Sequence, residues 1–156
     1  MEEILATIEA MPVAQYLRTS RWGYAAVNTA HVLGIALLVG AILPLNLRLL
    51  GFWRSVPRAA LARVLVPVAA TGLLLAVVAG ALLFSVRPGE YAALGVLRVK
   101  VALIALGILG ALALHRAYGL VLEQASDARV AGHAILSTVC WLGALICGRL
   151  IAFVMD

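Results

Sequence analysis

Four long runs of apolar residues, at about 25–50, 61–84, 96–118 and 130–154, decide which solvent this chain can fold in. Each reaches the roughly 20 residues that an α-helix needs to cross a hydrocarbon core of about 30 Å. Lipid offers no water to the backbone N–H and C=O groups, so a segment that spans it singly has to be helical. Composition closes off the soluble alternative. The chain is 65% hydrophobic and 12% charged, against about 45–50% and 25% for a soluble domain. The expected fold is therefore all-α and membrane-integral: an up-down bundle of four transmembrane helices. A single domain covers 1–156, with 1–20 as an interfacial segment.

That first segment alternates apolar and polar residues at helical spacing, with Ile4, Leu5, Ile8 and Met11 set against Glu2, Glu3 and Glu9. Residues 2–18 are too short and too charged to span, so an amphipathic helix lying in the interface is expected. Its acidic start lacks the basic region of a signal peptide, so it is expected to stay in the mature protein. Trp22 and Tyr24 follow, suited to the headgroup belt.

Connections are short: a basic loop at Phe52–Arg63, a turn at Arg87–Glu90, and a polar loop holding Glu123, Asp127 and Arg129. Neighbouring helices should then be antiparallel. Arg48, Arg54, Arg58 and Arg63, with Arg116 and Arg129, place loops one and three in the cytoplasm and both termini outside. Arg18, Arg21, Arg98 and Lys100 weigh the other way. A net charge of +5 would suggest nucleic acid in a soluble protein, but no basic face with interleaved aromatics exists to hold one. The bilayer is the expected partner. Gly34 and Gly40, Gly72 and Gly80, Gly107 and Gly110, and Gly143 and Gly148 are expected at close helix contacts. Pro44 and Pro67 are expected to kink the first two spans.

Ionisable groups inside spans are costly, and each is a candidate site. His31, Lys100, His115, His133 and Arg149 make up that set, with Asn28, Asn46 and Thr71 as polar companions. His31 stands alone in the apolar run Asn28-Thr-Ala-His31-Val-Leu-Gly. A neutral imidazole there can ligate haem iron, or it can simply be hydrogen-bonded to a carbonyl or to Asn28. Lys100 either snorkels its amine to the interface or stays desolvated, where it could ligate iron or hold a porphyrin propionate. His115 and His133 fall near the opposite ends of their helices and are weaker metal candidates. About 22 Å of helix separates Lys100 from His115, too far for one centre. Cys140 and Cys147 share a helix about 10 Å apart along its axis and cannot pair with each other. No phosphate loop, Cys-x-x-Cys, nucleophile elbow or His-Glu-x-x-His pattern occurs, and paired intramembrane carboxylates are absent.

Asn28-Thr-Ala-His31-Val-Leu-Gly, Leu47-Arg48-Leu-Leu-Gly51 and Leu97-Arg98-Val-Lys100-Val-Ala-Leu, with His115 closing the third span, resemble a group of bacterial four-helix membrane proteins. That group looks like a relative of the CopD and HemJ superfamily. HemJ-type proteins carry a histidine in the first span, an arginine at its end and a lysine opening the third. His31, Arg48 and Lys100 match in order and approximate spacing. The resemblance implies that His31 and Lys100 flank a haem b, in a protein of the bacterial inner (cytoplasmic) membrane. The Tyr-rich surroundings of HemJ are replaced here by Ala, Leu and Gly.

The resulting expectation is a small b-type haem membrane protein passing electrons between a redox partner and the quinone pool or another carrier. His31 would be the main axial ligand, Lys100 the second ligand or a propionate partner, and Arg48 and Arg98 electrostatic support. Two alternatives stay open: a HemJ-like porphyrinogen oxidase, and a cofactor-free membrane subunit or homo-oligomeric pore or transporter.

Overall fold

The computed structural model describes residues 2–120, 122 and 125–155, so Glu123 of the third loop lies outside the described residues. Seven helices follow in order among them: α1 (Glu2–Glu9), α2 (Pro12–Thr19), α3 (Arg21–Leu49), α4 (Arg58–Val86), α5 (Pro88–Ala93), α6 (Gly95–Tyr118) and α7 (Asp127–Met155). Of these α3, α4, α6 and α7 are long and apolar enough to cross a membrane. The protein is an all-α, multi-pass membrane protein.

The interfacial segment is two helices rather than one continuous helix over 2–18. Pro12 explains the break: it has no N–H for α1 to accept and it biases Met11 away from helical geometry. Met11 accordingly sits at φ −60°, ψ 140°, and α2 restarts with Pro12 in its first turn. The expected turn at Arg87–Glu90 also contains a short helix, α5, opened by the buried Pro88. The spans run longer than the apolar runs. At 29 residues, α3 is about 43 Å long, the thickness of a bilayer with its headgroup regions. Ser20 caps it, its hydroxyl accepting from the Gly23 N–H at 3.1 Å. Gly119 stops α6 at φ 70°, a conformation glycine adopts without strain. Both α3 and α4 continue through Pro44 and Pro67.

Packing pairs the spans as two hairpins, α3 on α4 and α6 on α7, joined where α3 meets α7. Close approach in the first hairpin rests on two glycines. A Cβ on Gly34 would stand 2.5 Å from the Ala76 backbone nitrogen, and one on Gly72 would stand 2.5 Å from that of Leu38. Gly40, expected at a contact, meets nothing within 4 Å. One polar bond crosses the joint, from Asn46 Nδ2 on α3 to Thr138 Oγ1 on α7, at 3.0 Å. Apart from that joint the two ends of the bundle differ. Where loops one and three lie, Leu45, Leu49, Ala62, Leu114, Val130 and Ala134 form a solid core drawn from all four spans. At the other end α4 and α6 never approach each other, and a cleft opens between them. Helices α1 and α2 fold over that end, α2 against α3 and α4, and α1 against α5.

A candidate cofactor cleft around His31 and Lys100

His31 projects from α3 towards α4, where the chain has a glycine. A Cβ on Gly80 would come within 2.9 Å of His31 Cε1 and 3.2 Å of Nδ1, so the ring fits only because that position is bare. His31 Nδ1 lies 2.8 Å from the Ala76 carbonyl oxygen. A carbonyl only accepts, so Nδ1 carries the proton and donates it, and Nε2 keeps its lone pair. This is the arrangement in which proteins orient an imidazole for a metal, one ring nitrogen tied back to a carbonyl and the other left for the ligand. No hydrogen bond among the described residues engages Nε2.

Lys100 reaches in from α6 towards a second glycine, with a looser fit. Its Nζ lies 3.2 Å from where a Cβ on Gly148 of α7 would stand. Each of the two side chains therefore rests on a glycine of the neighbouring helix. Both line two adjoining lobes of one cleft. The inner lobe, about 440 Å³, is walled by Ile35, Leu38, Leu73, Ile104, Trp141 and Leu145. The outer lobe, about 670 Å³, is walled in part by Arg18, Arg21, Asn28, Arg87, Tyr24 and Tyr91. Each volume falls in the range of small-molecule and cofactor sites, about 300–1,000 Å³. Val77 of α4 and Val101 of α6 flank the inner lobe and are exposed, so that lobe opens sideways, towards lipid.

The rim is cationic and ordered by its own bonds. Arg18 donates to Glu9 Oε1 at 2.7 Å and to the Val86 carbonyl, fastening α2 to the C-terminal end of α4. Arg87 pairs with Glu90 at 3.4 Å, both side chains being exposed. Among the described residues the ion pairs leave Arg21 without a carboxylate. Burial raises the Tyr91 phenol above the ordinary tyrosine value, and Tyr24 beside it adds to the shift. Tyr91 therefore stays protonated, a donor at the rim.

The other residues singled out from the sequence lie elsewhere. Arg98 is exposed on α6 and does not line the cleft. Arg48 is about 25 Å of helix from His31, with its guanidinium donating to the carbonyls of Val56 at 2.6 Å and Arg54 at 3.5 Å. It shapes loop one, and its donors do not reach the cleft. His115 Nδ1 bonds the Gly119 carbonyl at 3.2 Å, near the end of α6. The His133 ring packs over Gly110, 3.6 Å from its Cβ position. Neither lines the cleft, and no group of three or more His, Cys, Asp or Glu residues placed to hold a metal occurs among the described residues. Arg149 lies over the Phe153 ring at 4.6 Å.

Sequence reasoning missed the rim. Arg18, Arg21 and Arg87 sit at helix ends, where arginine is ordinary in a membrane protein, and Tyr24 and Tyr91 belong to different helices that only folding brings together. No family model matches the chain, and no curated protein or solved structure matches it. What the cleft can do is read from its chemistry. It offers an imidazole nitrogen and an amine beside an apolar lobe, under a rim of arginine. That combination suits a flat amphiphile with an acidic edge.

Proposed function

We propose that this protein is a small b-type haem protein of the bacterial inner membrane, passing single electrons between a redox partner and membrane quinone. One observation carries the proposal: His31 is tied through Nδ1 to the Ala76 carbonyl, with Nε2 unengaged, in a cleft it shares with Lys100. The donor set fits haem b. Neutral imidazole is a strong iron ligand, the apolar inner lobe suits a porphyrin ring, and the arginine rim suits propionates. The resemblance of His31 and Lys100 to the histidine and lysine of HemJ-type proteins supports the same cofactor. When bound, haem supplies a one-electron couple whose potential depends on axial ligands and burial. The chain's own part is to hold His31 in one tautomer, bring Lys100 to the same cleft, and exclude water with α3, α4, α6 and α7. The arginines of loop one favour an orientation with that loop in the cytoplasm, which sets the cleft towards the periplasmic leaflet.

The test is the visible spectrum of protein purified in mild detergent, oxidised and then reduced. A Soret band with reduced α and β bands is expected, lost in His31→Ala and shifted in Lys100→Met. A preparation that stays colourless after haem is supplied overturns the proposal.

A further inference from the structure

The rim residues line one outer lobe, and their chemistry narrows what the cleft accepts. We infer that Arg21 and Arg87 recognise free carboxylates on the edge of the bound tetrapyrrole, so that the cleft discriminates between an acidic macrocycle and its neutral ester. The inference rests on the haem reading and adds to it the residues that position the ring.

The rim cations differ in how far they are already committed. Arg18 is taken, with one contact to Glu9 at 2.7 Å and another to the Val86 carbonyl. Its guanidinium already serves as a fastening between α2 and α4. Arg87 has only Glu90, at 3.4 Å and with both partners exposed, a pair that a better-placed carboxylate can displace at little cost. Arg21 opens α3 and has no acidic partner among the described residues. Arg21 comes from one hairpin and Arg87 from the connection to the other, so the two cations reach the lobe from separate elements.

The ligand's orientation follows from the contrast between the lobes. Apart from His31 and Lys100 the inner lobe is walled by apolar side chains, whereas the outer adds three arginines, Asn28 and two tyrosines to apolar walls such as Leu83 and Val86. Carboxylates placed inward would meet only Lys100 and His31 among apolar walls, so most of their desolvation would go uncompensated. Placed outward, they meet guanidinium groups and the protonated Tyr91 hydroxyl. His31 and Lys100 line both lobes, so they stand where the apolar ring meets its acidic edge. A neutral quinone or an uncharged sterol would leave the rim cations unused.

The experiment compares haem with haem dimethyl ester, whose propionates carry no charge, by spectroscopic titration of the detergent-purified full chain stripped of pigment. Wild type is expected to bind the free acid at least about tenfold more tightly, the scale of one charge-assisted hydrogen bond. That preference should shrink as salt is raised. In the double variant Arg21→Gln/Arg87→Gln the ratio should fall towards one, with the reduced spectrum unchanged because His31 still ligates. Retained binding of the ester shows that the variant is folded, and Arg21→Lys/Arg87→Lys should recover part of the preference. Equal binding of acid and ester by wild type overturns this inference and leaves haem binding standing. If neither compound binds, the haem proposal falls and this one with it.

Discussion

The two ends of the bundle are made of the same four helices and are built to opposite ends. Near loops one and three, Leu45, Leu49, Ala62, Leu114, Val130 and Ala134 fill the space between the spans. Near the chain termini the residues that could fill it are bare or charged: Gly80 and Gly148 leave room where His31 and Lys100 enter. The comparison teaches that glycine serves two purposes in one chain. At Gly34 and Gly72 it lets two backbones touch, and at Gly80 and Gly148 it leaves room for an ionisable side chain. Only the first use binds the bundle together.

The largest effect should come from breaking a backbone contact. Gly72→Val puts bulk 2.5 Å from the Leu38 nitrogen, where no rotamer change relieves it. We expect a loss of about 3 kcal/mol or more, seen as aggregation or early melting in detergent. Next comes the solid end. Leu49→Ala, at 6% exposure, should cost about 1–3 kcal/mol, below the usual 2–5 because lipid rather than water surrounds the separated helices. The hollow end should be more forgiving. His31→Ala in pigment-free protein removes one hydrogen bond, worth about 0.6 kcal/mol in a membrane. If its melting temperature falls as far as that of Leu49→Ala, the division between a packed end and an open end is wrong. The smallest effect is alkaline. The folded Tyr91 holds its proton above the ordinary tyrosine value of 10.0, so the unfolded chain releases one sooner. Stability contributed by this group is then complete below pH 10 and declines as pH climbs towards the raised value. Tyr91→Phe should flatten that alkaline decline in a melting series.

The four spans were legible because length and hydropathy alone define a membrane helix, whichever neighbours it finds. Which helix touches which was not. In a soluble bundle a polar face marks the outside, but Val32, Leu74, Leu109 and Ile146 are exposed here and as apolar as the core. Sequence periodicity therefore carries little information on partners. His31 and Lys100 stood out because an ionisable group in a span has few ordinary explanations, and the fold sets both on one cleft. Arg48 seemed equivalent by its place at a helix end, yet the loop beyond it turns back and occupies its donors at Val56 and Arg54. Arg21 and Arg87 were hidden for the opposite reason, since ordinary interfacial arginines come to line one lobe only when α3 and the α4–α5 corner converge. Pro12 carried a readable signal for the break between α1 and α2, one that apolar spacing over 2–18 obscured.

The hydrogen bond between Asn46 and Thr138 has a mechanical consequence. With α3 against α7 as the spine and α4 and α6 as covers, the molecule is shaped like a half-open book. This bond is a stitch in that spine, about 22 Å of helix below His31. It ties α3 to α7 at a level outside the residues that line the cleft, on the joint that holds the two hairpins together.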